Sequence, residues 1–269
     1  MIQLKYKLIT KVDPNQYRLI YHSQPKDPVD EKNFEIQNRF NSIIEEIRKV
    51  DIAPQKRGFF RFQYYMTTTS NISVSDLEVA SIIASSNKLQ IDISYYLEEI
   101  ASLEFRVYTS VGSGNSPSVS FLQTRPKGSR EFTSIVNEGF GINQLVYMLA
   151  KILYQGNKLV MIEEPEVHLH PEIIRNFIRN LCKILSEYKG KKQIIITTHS
   201  ENVVSALLGA VKQKIITPED IKAYLVKENG ETRFIKQEVN QEGRIEGGLA
   251  NFAIAQLEDI KILLDIHDE

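Results

Sequence analysis

The feature that most restricts the fold is an alternation of short apolar runs and longer amphipathic stretches after residue 131. Residues 159–162 and 193–198 form two short runs that are rich in aliphatic side chains. Apolar residues at helical spacing mark residues 142–154, 171–188 and 202–212. Apolar strands that alternate with helices are typical of a parallel sheet covered on both faces. We therefore predict an α/β fold with a mostly parallel sheet and flanking helices.

The first half of the chain has a different pattern. Alternating apolar residues over 2–21 predict a β-hairpin, and mixed strand and helix patterns follow it. We therefore divide the chain into an N-terminal β-rich and helical portion, 1–131, and a core, 132–269. Further elements predicted from periodicity are a helix over 34–47, strands over 59–66, 105–111 and 119–124, helices opening at Ser75 and Ser94, a hairpin around Asn229-Gly230 and a last helix over 249–265.

Composition excludes several classes of protein. The 33 basic and 34 acidic residues leave a net charge of −1, which gives no support for a protein that wraps duplex nucleic acid. Cys182 is the single cysteine, so an intrachain disulfide and a cysteine-rich metal site are both excluded. No apolar stretch approaches the roughly 18–20 residues of a membrane span, and the N-terminus lacks a signal layout. We expect a cytoplasmic protein with no membrane partner.

Two adjacent carboxylates, Glu163 and Glu164, stand where the first apolar run ends. Ligands of open α/β sheets bind at the carboxyl ends of strands. One carboxylate there could hold Mg²⁺, which leaves most of its octahedron to water and phosphate. The other could orient and deprotonate an attacking water. Taken alone, the pair is explained equally well as the solvent-exposed end of a strand.

A histidine ends the second apolar run. His199 lies 35 residues after Glu164, which is about the length of a strand–helix–strand unit, so both can reach the same edge of the sheet. An imidazole at that edge could bridge a γ-phosphate and the attacking water. The alternative is that Thr197, Thr198 and Ser200 cap the next helix and that His199 is incidental.

A glycine-containing turn precedes the helix predicted over 142–154. Gly139 and Gly141 would let the backbone approach a ligand, and a helix N-terminus offers free N–H groups to an anion. A simple helix-entry turn would explain the same residues.

Together these three segments carry a resemblance. The runs GFGINQ (139–144), LVMIEEPEVHLHP (159–171) and IIITTHS (194–200) resemble the signature, Walker B with D-loop, and H-loop of ABC-type ATPases. More narrowly, they are similar to the bacterial and archaeal ATPases related to the OLD, SMC and Rad50 proteins. Residues 52–57 also resemble a Pro/Arg segment that precedes the signature in such proteins. The resemblance implies the head domain of an ATPase.

The resemblance also implies roles for individual residues. Glu163 would be the carboxylate on the Mg²⁺ side, Glu164 would orient the attacking water, and His199 would be the switch histidine. The signature would contact the γ-phosphate of an ATP held by a second subunit. The signature residues would be Asn137, where the family usually has serine, Gly139 and Gly141.

The phosphate-binding motif G-x-x-x-x-G-K-[ST] does not occur in the sequence. Without it the β- and γ-phosphates lose their backbone cradle and lysine. We therefore expect the chain to be part of a longer or split ATPase. Its expected partners are a second copy, which would complete the composite site, or a partner chain that supplies this loop. A degenerate head that binds a partner without hydrolysis is the alternative.

A metal-dependent hydrolase is the competing enzyme class. His168 and His170 could form a metal site with Glu166, the carboxylate pair and His199, since histidine with carboxylate suits Zn²⁺ or Mn²⁺. Against this, Leu169-His170-Pro171 is typical of a helix entry. Nucleic-acid binding rests on analogy with the resembled proteins alone.

Overall fold

A computed structural model describes residues 28–65, 75–110, 118–188 and 190–245. The chain divides into two compact units, Met1–Ile47 and Arg48–Glu269. In the first unit the described element is helix α1, Pro28–Ile47, which confirms the helix predicted over 34–47. The hairpin predicted over 2–21 and the helix predicted over 249–265 lie outside the described residues. The predicted boundary at residue 131 stays a prediction.

The centre of the second unit is a three-stranded parallel sheet. Its strands are β1 (Val50–Ala53), β6 (Leu159–Glu163) and β7 (Gln193–Thr197), in the order β1-β6-β7. The parallel sheet and the strands at 159 and 193 are confirmed. Val160 and Ile162 of β6 are almost fully buried, as a central strand requires. β1 was not predicted, because its short run contains the charged residue Asp51.

Three helices accompany this sheet: α4 (Phe140–Leu153), α5 (Pro171–Tyr188) and α6 (Glu201–Lys212). Their bounds agree within two residues with the predicted ones. α4 contacts β1 and β6, and α5 packs against α6. The buried residues of α5, which include Ile174, Phe177 and Leu181, form one stripe at helical spacing, and hydrophobic burial along that stripe holds the helix in place.

An antiparallel sheet and two further helices are formed by the residues between β1 and α4. Strands β3 (Leu103–Ser110) and β4 (Val119–Pro126) pair along their whole length, as the two predicted strands suggested. Of the strand predicted over 59–66, two residues form a strand. The two helices predicted to open at Ser75 and Ser94 are separated by one residue, Ser86, which is the C-cap of the first helix and the N-cap of the second. These elements are β2 (Tyr64–Tyr65), α2 (Asp76–Ser85), α3 (Asn87–Ala101) and β5 (Thr133–Ser134).

The hairpin predicted around Asn229-Gly230 is confirmed. β8 (Ala223–Asn229) and β9 (Glu231–Gln237) pair in antiparallel register, and Gly230 has a φ of +80°, which a tight hairpin turn needs. Among the described residues, no helix is both long and apolar enough to span a membrane.

Candidate functional site

Three strand ends meet at the carboxyl edge of the parallel sheet. The register pairs Ala53 of β1 with Ile162 of β6, and Glu163 of β6 with Thr197 of β7. The residues that follow each strand therefore emerge side by side. This edge carries Gln55 after β1, Glu163 and Glu164 at the end of β6, and His199 after β7. We call it the acidic edge.

Both carboxylates of the acidic edge are held by Gln55. Its backbone N–H donates to Glu163 Oε2 at 3.0 Å, and its side-chain amide donates to Glu164 Oε2 at 2.8 Å. The Glu164 backbone N–H donates to Thr197 O at 2.8 Å, which continues the sheet ladder beyond β6. Glu164 has a φ of +41°, so the chain turns sharply there and the next residues leave the plane of the sheet.

His199 lies beside Glu164, as the spacing predicted. The distance from His199 Nε2 to Glu164 Oε1 is 3.9 Å. The imidazole is 91% exposed and the Glu164 side chain 30% exposed, so both groups are open to a ligand from solvent. Their proximity is a geometric fact, whereas their catalytic roles stay predictions.

A buried arginine, Arg57, forms hydrogen bonds with the backbone of the acidic edge. It is 2% exposed and donates to the backbone carbonyls of Pro54, at 3.0 Å, of Glu163 and of Glu164, at 2.8 Å. Burial lowers the pKa of Arg57, and the nearby carboxylates, of Glu166 first, oppose that shift. Arg57 therefore fixes the backbone that presents both carboxylates and places positive charge behind them.

Sequence reasoning assigned no role to Gln55 and Arg57. Residues 52–57 were noticed because they resemble a Pro/Arg segment, but β1 was not predicted, so nothing placed them beside Glu163. Their position directly after a strand could have indicated a role, because the residues that follow neighbouring parallel strands lie close together at the carboxyl edge of the sheet.

The glycine turn packs against the segment after β6. A Cβ on Gly141 would lie 2.4 Å from the backbone oxygen of His168, so only glycine fits there. Gly139 has a φ of +80° and is the N-cap of α4, and a Cβ there would meet open space. Asn137 ends a short 3₁₀ helix. Within the described residues, neither Asn137 nor Gly139 forms a hydrogen bond with the acidic edge.

The two histidines after the acidic pair have separate surroundings. The His168 ring lies against that of Phe140, with ring centroids 5.7 Å apart. His170 Nδ1 accepts from the backbone N–H of Glu172 at 3.3 Å, in the first turn of α5. In the part of the chain that the structure describes, no three histidine, cysteine, aspartate or glutamate side chains are grouped to hold a metal ion. These contacts favour a helix entry over a histidine metal site.

Comparison with known proteins points to one family. The sequence profile of the family described as AAA ATPase domain matches residues 4–204. No curated protein matches the sequence.

Several solved SMC head structures are similar to this chain. One, from work on ATP-driven dimerization and DNA-stimulated activation of SMC ATPases, is 13% identical, with 68% of this chain and 97% of that chain covered and a TM-score of 0.44. The Pyrococcus furiosus SMC head with an extended coiled coil, bound to the C-terminal domain of ScpA, is 12% identical (87% and 46% covered, TM-score 0.42). The Thermotoga maritima SMC head domain is 15% identical (60% and 52%, TM-score 0.40). The chain spans about half the length of the last two.

Proposed function

Because this chain belongs to the AAA ATPase domain family, we propose that its acidic edge hydrolyses ATP. The observation that carries the proposal is the 3.9 Å separation of His199 and Glu164, which come from different strands and meet at the open edge of one sheet. A carboxylate and an imidazole at that spacing can both form hydrogen bonds with one small reacting group that lies between them. The His199 imidazole is exposed and the Glu164 carboxylate is partly exposed, so substrate can reach them from solvent.

The two side chains take different parts in the reaction. Water attacks the γ-phosphorus of ATP, the bond from that phosphorus to the bridging oxygen of the β-phosphate breaks, and ADP and phosphate leave. Glu164 orients the water and accepts its proton. His199 donates a hydrogen bond to the γ-phosphate and steadies the charge that develops on it. Gln55, which contacts both carboxylates, keeps the Glu164 carboxylate directed along this edge.

Glu163 is the residue that fits Mg²⁺. Its carboxylate lies at the strand end, exposed, with one oxygen taking a hydrogen bond from Gln55 and no competing cationic side chain paired with it among the described residues. A single carboxylate suits this ion, which keeps several waters and binds substrate phosphates. When bound, Mg²⁺ would neutralise charge on the β- and γ-phosphates.

The phosphate-binding loop must come from another source, since the sequence contains no G-x-x-x-x-G-K-[ST] motif. Such a loop joins a strand to a helix. Among the described strands, β7 has a hydrogen-bonded neighbour on its β6 side only, and its Ile195 is 50% exposed. A parallel strand added to β7 would end beside His199. The resulting site is composite, and the signature residues of one copy, Asn137, Gly139 and Gly141, would face the nucleotide held by another.

The test compares the chain alone with the chain completed by a phosphate-loop protein, starting with the one encoded directly upstream. We call an active mixture the completed ATPase. The chain alone should neither bind ATP at micromolar concentration nor hydrolyse it, and the mixture should hydrolyse ATP only with Mg²⁺ present. As a control, the loop lysine of the partner is replaced with alanine, which should abolish turnover.

Two outcomes contradict this proposal. Micromolar ATP binding by the chain alone would show that no added loop is needed. An ATP-independent complex with the partner, without turnover above that of the partner itself, would identify a non-hydrolysing subunit instead.

A further inference from the structure

The third acid of the segment, Glu166, lies between two strand ends but does not face the solvent as Glu164 does. Its Oε1 accepts a hydrogen bond from the Thr198 hydroxyl at 2.7 Å and another from the His199 backbone N–H at 3.1 Å. Its Oε2 is buried and has no hydrogen-bond partner among the residues that the structure describes. Glu166 thus joins the turn after β6 to the turn after β7.

These contacts favour a structural role for Glu166 over an acid–base role. A general base must reach the proton that it removes, within hydrogen-bonding distance or through one water. One oxygen of Glu166 is already shared by two donors, and the other is shielded from solvent. The carboxylate that lies partly exposed beside the His199 imidazole is that of Glu164.

His199 depends on its backbone for its position. With the imidazole 91% exposed, packing leaves this side chain free to change rotamer. The hydrogen bond from the His199 backbone N–H to Glu166 is therefore a main constraint on the position of the His199 Cα, from which the imidazole extends. A charge-assisted hydrogen bond of this kind is stronger than one between neutral groups.

We propose that Glu166 is a positioning residue that holds the His199 backbone so that the imidazole stays beside Glu164. Thr198 extends the arrangement, because its hydroxyl donates to Glu166 and accepts from the Ser200 backbone N–H at 2.9 Å. Ser200 is the N-cap residue of α6. One carboxylate therefore sets both the His199 backbone and the entry to the following helix.

Amide hydrogen exchange of the full chain, measured by NMR, tests this directly. In Glu166→Ala the His199 amide should exchange at least about tenfold faster, because a bond to a charged acceptor is lost. Glu166→Gln retains an acceptor oxygen but loses the charge, so the His199 amide should exchange at a rate between those of the wild type and Glu166→Ala. The Glu164 amide, which bonds to Thr197 O, should be unchanged in both variants and reports whether the sheet is intact. Equal His199 exchange in wild type and Glu166→Ala would overturn the proposal.

A second pair of variants covers the case in which Glu166→Ala does not fold. Thr198→Val removes the hydroxyl that anchors Glu166, whereas Thr198→Ser keeps it. Faster His199 exchange in Thr198→Val, restored in Thr198→Ser, supports the positioning role. Equal exchange in the two variants contradicts it.

The effect on turnover rests on the proposed function and is measured separately in the completed ATPase. Glu166→Ala should lower kcat about tenfold with an unchanged KM for ATP, and Glu166→Gln should restore most of the rate. A lost His199 constraint with unchanged kcat would contradict the catalytic relevance of the position. If the wild-type mixture has no turnover, the proposed function fails, while the exchange result still decides the structural role of Glu166.

Discussion

The two ends of the parallel sheet hold charged residues in opposite ways. At the amino end, Asp51, Lys151, Asn157 and Lys192 are all at least 95% buried. At the carboxyl end, the acidic edge leaves its carboxylates and His199 open to solvent. Because the same three strands form both ends, the difference in burial arises from the residues that lie before and after each strand.

The amino end is a closed network. Asp51 accepts from the Lys151 ammonium at 2.6 Å and from the Asn157 amide at 2.8 Å. Lys192 donates to the carbonyls of Ile152 and, at 2.8 Å, Tyr154, where α4 ends and the helix dipole favours a cation. Buried charges persist only when they are paired or hydrogen-bonded in this way. The carboxyl end also contains a buried charge, Arg57, but its Glu163 and Glu164 carboxylates and the His199 imidazole remain accessible to solvent, so we expect the chemistry at the acidic edge.

Replacing Lys151 should give the largest effect on stability. Lys151→Met leaves Asp51 buried without its cation, so we expect the free energy of unfolding to fall by about 3–5 kcal/mol. Urea unfolding at pH 7 measures it. Lys88→Met, which breaks the exposed Lys88–Asp92 pair, is the matched control and should cost less than about 1 kcal/mol. Similar losses of unfolding free energy in both variants would show that the buried Lys151–Asp51 pair stabilises the protein no more than an exposed pair does.

Lys192 should make stability depend on pH. Burial lowers the pKa of Lys192 to about 8, from 10.5 for the free side chain. Between these values the unfolded chain binds a proton that the folded chain does not, so the wild type gains stability over Lys192→Met as pH rises. The gain is at most about 3 kcal/mol. Urea unfolding of both proteins at pH 7.5 and 10 measures it. If the difference in the free energy of unfolding between the two proteins is the same at both pH values, the helix carbonyls keep the Lys192 ammonium charged.

Gly141 tests how tightly the carboxyl end is packed. Because an added Cβ would lie 2.4 Å from His168 O, Gly141→Ala forces the turn or α4 to move and should destabilise the protein by about 1–3 kcal/mol. Gly209→Ala is the matched control in α6, where a Cβ meets nothing within 4 Å. That variant should be neutral or up to about 1 kcal/mol more stable. Thermal unfolding distinguishes the two.

His199 should have the smallest effect on stability. Its exposed imidazole adds little to the folded state, so His199→Asn should change the free energy of unfolding by less than about 0.5 kcal/mol. Urea unfolding checks this value. A loss above about 2 kcal/mol would assign His199 a structural role and weaken the contrast between the two ends.

Most of the α/β fold could be predicted from local pattern. The isoleucines of β7 and the apolar stripe of α5 identify their elements without knowledge of any distant residue. β1 could not be predicted in this way, because Asp51 looks unfavourable in a buried strand until Lys151, 100 residues later, supplies its partner. The break at Ser86 was also missed, since one serine both ends α2 and caps α3.

The candidate site was predicted in part. The family indicated by the motifs is confirmed by the match over residues 4–204. The spacing of Glu164 and His199 predicted their proximity, because strand–helix–strand units return to the same edge. The contacts of Gln55 and Arg57 could not be predicted, and Glu166 was predicted only as part of the alternative metal site, since the contacts of all three depend on strand order and on turns with positive φ.

Single-turnover hydrolysis of ATP by the completed ATPase tests the central claim most directly, with Glu164→Gln and the exposed Glu172→Gln compared with the wild type. We predict that Glu164→Gln lowers the rate by about 10²-fold or more, while its urea unfolding midpoint stays at the wild-type value. Glu172→Gln should leave both unchanged. A Glu164→Gln rate within about twofold of the wild type would show that the acidic edge does not carry the reaction.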